Sequence, residues 1–263
     1  MASRAGRATG WRALLVLGLA LTCAAAGAAD VAAPVLGYRV VATYPHDVGA
    51  FTQGLLLHDG ALYESLGGYG ESRLRRVELA SGRVLAERAL DRRLFAEGLA
   101  LADGRLYQLT WRAGVGFVYD AQTFAPLGRF RYPGEGWGLT FDGQALVLSD
   151  GTATLRFLDP VRLTEVRRVE VRDGERPVPM LNELEWIEGE VWANVWQTDR
   201  IARIDPRSGT VVAWIDLGGL LPLPYRRPDT DVLNGIAWDA QQRRVLVTGK
   251  RWPKLFAIEL PPR

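Results

Sequence analysis

Cysteine and histidine are nearly missing from this sequence: one Cys and two His, His46 and His58, stand among 263 residues. So few donors exclude a His-rich or thiolate metal centre, and a single cysteine excludes an intramolecular disulfide framework. Helical periodicity of useful length is lacking beyond the first 29 residues, which excludes helical bundles and alternating strand-helix folds. What is present is 48% apolar and 24% charged residues, enough to bury a sizeable core by packing alone.

The N-terminus is different in kind. Arg4, Arg7 and Arg12 precede an apolar run from Ala13 to Ala26, followed by Ala26-Gly27-Ala28-Ala29. This is the layout of a secretory signal peptide over residues 1–29, cleaved near Ala28 or Ala29. The run is too short to span a bilayer comfortably, and Ala20-Leu21-Thr22 makes a poor lipobox before Cys23. Without the leader the chain has no cysteine and 29 basic against 30 acidic side chains. That balance gives no electrostatic reason to expect nucleic acid or an anionic membrane surface as a partner. The expectation is an exported, periplasmic or secreted monomer whose residues 30–263 form one domain.

Five stretches of that domain share one plan: QGLLLHDGALYESLG from Gln53, EGLALADGRLYQLTW from Glu97, WGLTFDGQALVLSDG from Trp137, NELEWIEGEVWANVW from Asn182 and NGIAWDAQQRRVLVTGK from Asn234. Each opens on a polar or aromatic residue, usually followed by Gly. Each then alternates with period 2, turns at Asp-Gly, Glu-Gly or a longer polar loop, and returns through a β-branched or aromatic strand. The starts lie 44, 40, 45 and 52 residues apart. Four of the hairpins are followed by a second strand pair, giving four short strands per unit, the pattern of a β-propeller blade. The fold expected is all-β: a five-bladed propeller with four antiparallel strands per blade. The last unit lacks its fourth strand, which YRVVATYPHD at 38–47 can supply, so that strands from both termini close the ring and hide its edges.

In an antiparallel hairpin the start of one strand and the end of the next are neighbours. If the five hairpins are the inner ribbons, Gln53, Glu97, Trp137, Asn182 and Asn234 meet Trp111, Gly151, Trp196 and Lys250 at one mouth of the axis. A carboxyl, an amine, amides and indoles then share a channel. Taken singly these residues read as packing or solvated positions; the case rests on their coincidence at one repeat position. The GGYGES run at 67–72 precedes no helix and reads as a loop that can border the pocket. Asp142, Asp150, Asp159 and Asp205 fall at turns, where Asx hydrogen bonds account for them.

At this point longer strings become informative. FTQGL at 51–55, FAEGL at 95–99, EGWGL at 135–139, SDGTATLRFLDP at 149–160, LNELEW at 181–186, VWANVWQTDRIARI at 191–204 and VTGKRWPKLF at 247–256 closely resemble the glutaminyl-peptide cyclotransferases of the plant and bacterial type, in order along nearly all of the mature chain. Ala96, where a Gly is common, and Arg251, where an apolar residue is common, depart from the pattern. The resemblance implies a metal-free, cofactor-free acyltransferase on a five-bladed propeller, converting N-terminal glutamine of peptides or proteins to pyroglutamate with loss of ammonia. It implies Glu97 as the acid/base, and Asn182 and Lys250 as donors to the carboxamide oxygen. Gln53 would orient the substrate, and Trp111, Trp137, Trp196, Phe51 and Phe95 would form its walls. The competing reading is a non-enzymatic propeller that binds a carbohydrate or protein at an aromatic mouth; a carboxyl opposite an amine is what such a module does not need. A metal-dependent propeller hydrolase would require a cluster of carboxylates or histidines that the mouth positions lack.

Overall fold

Five sheets of four strands are arranged as the repeat requires. The computed structural model describes residues 32–261, with Met1, Ala2 and Gly6; the expected leader otherwise lies outside the described residues. Blade 1 pairs Thr52–His58, Ala61–Leu66, Arg73–Glu78 and Val84–Ala89 in sequence order. Blade 2 does the same with Ala96–Ala102, Arg105–Thr110, Val115–Asp120 and Pro126–Arg131. Blade 3 has Leu139–Phe141, Leu146–Leu148, Thr154–Leu158 and Glu165–Glu170, and blade 4 has Leu181–Ile187, Glu190–Val195, Arg200–Ile204 and Val211–Asp216. Blade 5 takes Leu233–Asp239, Arg244–Gly249 and Lys254–Glu259 from the C-terminal end and Arg39–Pro45 from the N-terminal end. The closing strand runs antiparallel to Lys254–Glu259, with Thr43 opposite Phe256, so the ring closes as expected.

Two features go beyond the four-strand plan. Val35–Leu36 adds a short parallel strand to the outer edge of blade 4, and a small hairpin pairs Arg172–Asp173 with Arg176–Pro177. The only helical turn among the described residues is the 3-10 turn Leu223–Tyr225.

The hairpin turns follow from their sequence. Asp59-Gly60, Asp103-Gly104 and Glu188-Gly189 each place both central residues at positive φ, which matches the twist of the flanking strands and is tolerated best by Asp or Asn followed by Gly. The core lies between blades. Five apolar clusters each draw on two neighbouring blades; Leu56, Tyr63 and Leu74 of blade 1, for example, pack against Leu99, Leu106 and Tyr119 of blade 2. Burying such surface stabilises by about 25 cal/mol per Å², so the blades hold one another in place without disulfides.

The inner strands approach closely at the axis. A Cβ on Gly98 would lie 2.5 Å from the Leu139 nitrogen, and one on Gly138 would lie 1.9 Å from the Asn182 carbonyl oxygen. Those positions admit only Gly, which explains the recurrent Gly at the second place of the repeat. Blade 4 breaks that rule with Glu183.

Candidate active site

The open ends of the hairpins carry a device that the repeat pattern does not reveal. In blades 1, 2, 4 and 5 the register between the two inner strands shifts at Thr52/Gly54, Ala96/Leu99, Leu181/Leu184 and Leu233/Ile236. These are β-bulges, and they fall at Gln53, Glu97-Gly98, Asn182-Glu183 and Asn234-Gly235. A bulge leaves a residue outside the ladder and re-aims its side chain. Beyond each bulge the ribbons stay paired: Gly67 N–H donates to Phe51 O, Trp111 to Phe95, Trp196 to Met180, and Lys250 to Val232.

The result is one cavity of about 340 Å³ lined by Phe51, Gln53, Phe95, Glu97, Trp111, Trp137, Asn182, Trp196 and Lys250. All nine candidate side chains meet there, from all five blades. Gln197, Asp231 and Val232 complete the lining. Asn234 stands behind it: its Nδ2 donates to Thr52 O at 2.9 Å and to Gln53 Oε1 at 3.2 Å. Gln53 Nε2 in turn donates to Glu97 Oε1 at 2.8 Å. The GGYGES loop does not line the cavity; Gly67 backs the Phe95 ring so tightly that a Cβ there would come within 2.3 Å of it.

The polar groups are almost fully withdrawn from water: Glu97 and Lys250 are each 4% exposed and Asn182 is 2% exposed. Burial pushes the Glu97 carboxyl well above its ordinary pKa, a rise opposed by Lys250 and reinforced by Glu135. Burial likewise pulls Lys250 down against the attraction of Glu97 and Asp231. A carboxyl and an amine are thus both drawn toward neutrality, which suits proton exchange near neutral pH. The Oδ1 of Asn182 is buried with no hydrogen-bond partner among the described residues. An orphaned amide oxygen at a cavity wall is an acceptor that a ligand N–H can satisfy.

The walls are aromatic and mutually braced. Phe95 meets Phe51 edge-on at 6.0 Å and Trp111 at 5.6 Å, while Trp137 and Trp196 form a second edge-on pair at 5.5 Å. The Lys250 ammonium lies 4.9 Å from the Phe51 ring centre.

Several supporting residues were not legible as site residues. Glu135 accepts the indole N–H of Trp111 at 2.7 Å and of Trp137 at 2.9 Å. His46 is hydrogen-bonded through Nε2 to Glu64 at 2.9 Å and through Nδ1 to the Trp252 carbonyl at 2.7 Å. This ties the ring-closing segment to the turn after Lys250. Glu183 accepts backbone N–H from Leu55 of blade 1 at 3.2 Å and from Ile236 of blade 5 at 2.8 Å. A larger cavity of about 540 Å³ opens at the opposite end, around Ile187, Trp192 and Trp238. Its charges are already paired, Arg243 with Glu188 and Arg203 with Glu190, so size does not select the site.

A closed propeller whose bulged inner strands present an acid, an amide and an amine in an aromatic cavity defines a β-propeller of enzymatic design. The sequence model of the glutamine cyclotransferase family matches residues 13–260. The glutaminyl-peptide cyclotransferase of Arabidopsis thaliana is 45% identical over 228 residues, covering 84% of this chain and 71% of its own length. The crystal structure of Myxococcus xanthus glutaminyl cyclase superposes with a TM-score of 0.80 at 40% identity, over 86% of this chain and 98% of that one. The chain belongs to the glutamine cyclotransferase family.

Proposed function

We propose that the protein is a glutaminyl-peptide cyclotransferase, closing the N-terminal glutamine of a peptide or protein to pyroglutamate with release of ammonia, and that Glu97, Asn182 and Lys250 carry the reaction. The observation that supports this most is the meeting of the Glu97 carboxyl, the Lys250 amine and the Asn182 side-chain amide in one aromatic cavity.

The substrate α-amine attacks its own side-chain carboxamide carbon. Glu97 takes one proton from that nitrogen as the C–N bond forms and returns it to the departing nitrogen, which leaves as ammonia. A carboxyl with a raised pKa accepts and gives back a proton with little cost, and positioned acid/base groups of this kind contribute about 10²- to 10⁴-fold. Asn182 and Lys250 donate to the carboxamide oxygen as it gains negative charge; in a site shielded from water such donors act strongly. Gln53, itself held by Asn234, fixes the orientation of Glu97. The indoles and phenyl rings exclude water and keep the flexible glutamine side chain folded, a proximity contribution. No covalent nucleophile is required.

The enzyme is further read as an exported monomer, freed of residues 1–29 and acting outside the cytoplasm. N-terminal sequencing of the protein recovered from that compartment checks the cleavage, and light scattering the monomer. For the reaction itself, the mature protein is incubated with a Gln-initiated peptide and with its Asn-initiated and N-acetylated counterparts. Ammonia release and the matching mass loss are expected for the free Gln peptide alone; an intact Gln peptide would sink the reading and return the aromatic cavity to simple ligand binding.

A further inference from the structure

The pocket wall consists of two aromatic groups with one residue between them. Phe51, Phe95 and Trp111 form one group, joined by edge-on contacts, and Trp137 with Trp196 forms the other. Among the described residues no ring contact joins the two. The joint is made by the carboxylate of Glu135, whose Oε2 accepts both indole N–H groups, from Trp111 of blade 2 and Trp137 of blade 3. Its Oε1 accepts Arg112 Nε at 3.0 Å, and the Arg112 guanidinium lies 3.8 Å from the Trp111 ring centre.

We propose that Glu135 is a positioning residue of the cyclisation site: a single carboxylate that fixes two of the three indoles of the wall, Trp111 and Trp137, and supplies the negative charge next to which Glu97 exchanges its proton. This inference rests on the cyclotransferase reading of the same cavity.

Three points support it. Burial would favour the neutral acid, yet hydrogen bonds from Trp137, Arg112 and Trp111 hold Glu135 below the ordinary carboxylate range, so it is charged at neutral pH. Charge-assisted hydrogen bonds are the strong ones, and two indoles sharing one acceptor cannot rotate independently. The bonds also occupy both Nε1–H groups, so neither competes with Asn182 and Lys250 for the carboxamide oxygen of the substrate. Finally, the charged groups felt by Glu97 are Lys250, which favours its ionised form, and Glu135, which opposes it; the neighbouring Tyr132 phenol, pushed up to about 12, is neutral at working pH.

The test is steady-state kinetics on a Gln-initiated peptide, across pH, for the wild type, Glu135→Gln and Glu135→Asp. Glu135 is half-exposed, so both variants are expected to fold. Glu135→Gln keeps one acceptor but turns a donor toward the remaining N–H groups and removes the charge. KM is expected to rise about tenfold, the scale of one lost charged hydrogen bond. The acid limb of kcat/KM should move to lower pH, because Glu97 loses the carboxylate that resists its ionisation. Glu135→Asp keeps the charge but is too short to hold both indoles: KM rises while the limb stays. Wild-type KM in both variants, or an unmoved limb in Glu135→Gln, overturns the inference. An inactive wild type overturns the cyclotransferase reading instead, so the two failures are distinguishable.

Discussion

Glu97 and Glu183 are adjacent in the logic of the repeat and opposite in use. Both are buried carboxyls on bulged starts of innermost strands, and burial lifts both well above the ordinary carboxylate range. Glu97 occupies the first place of its repeat, at the mouth. There it takes a single hydrogen bond, from the Gln53 side chain, and leaves its second oxygen to the cavity. Glu183 occupies the second place, where the other four repeats have Gly. From blade 4 it reaches across the axis to backbone N–H groups of blades 1 and 5, one on each oxygen. The same local geometry therefore produces a reactive group when the partners are few and the cavity is open, and a structural tie when backbone donors saturate the group.

The comparison is broken most severely at the mouth. Glu97→Gln keeps shape and the bond to Gln53 but cannot exchange a proton. It is expected to lose about 10³-fold or more in kcat at unchanged thermal stability. Near-wild-type turnover would remove Glu97 from the mechanism. Lys250→Met and Asn182→Ala each remove one donor to the developing oxyanion and should cost about 10²-fold in kcat, with KM moving less. Lys250 and Lys254 are the only lysines in a chain that otherwise uses Arg. A compact amine whose pKa burial can lower fits the cavity in a way that a bulky, permanently charged guanidinium does not. Loss of KM with kcat intact would place these two residues in ground-state binding instead.

Much of this was legible in the sequence. The period of the hairpins, their Asp-Gly and Glu-Gly turns and the missing fourth strand of the last unit specify the ring, because alternation and turn chemistry are local properties of the chain. The mouth positions were legible for the same reason, since hairpin pairing fixes which residues share an end. The supporting residues were not. Glu135 lies in an irregular segment before Trp137, and nothing in its spacing shows that two indoles from different blades will meet it. His46 and Glu64 are far from Lys250 in sequence and come behind it only when the ring closes. The bulges needed the register itself, although Glu183, standing in a column otherwise made of Gly, was the visible sign that one blade differed.

Glu183→Gln tests the structural half of the comparison. One of the two oxygens becomes an N–H donor facing a backbone N–H, so a buried bond turns into a conflict. A loss of about 1–3 kcal/mol in unfolding free energy is expected, with activity falling only a few-fold because the bulges that carry Gln53 and Asn234 shift slightly. A thermal or denaturant melt indistinguishable from wild type would show that the tie contributes nothing. A collapse of kcat as deep as that of Glu97→Gln would show that Glu183 is chemical after all.

The smallest expected effect separates the buried carboxyls from the surface ones by pH. Depressed groups such as Glu165, held down against burial by Arg168 and Arg156, stabilise the fold above their unfolded pKa and lose that contribution only in acid. Glu185 has the opposite sign. Burial lifts it to about 8, although its carboxyl accepts the Trp238 N–H at 2.8 Å. Its protonated form is favoured in the fold, so its contribution is complete below the unfolded value near 4.5 and is lost as pH rises toward 8. His46 has the same sign: burial disfavours its cation, but the adjoining Glu64 outweighs this and raises it above 6.5. Between pH 5 and 8 the depressed carboxylates are ionised in both states, so the falling slope there comes from Glu185 and His46. The melting temperature of the mature protein is expected to fall by several degrees across that window. Glu185→Gln, which mimics the neutral acid and keeps an acceptor for Trp238, should make the decline shallower without changing kcat. A wild-type melting temperature that stays level or rises from pH 5 to 8, or a variant with the wild-type slope, would show that Glu185 is not held protonated by the fold.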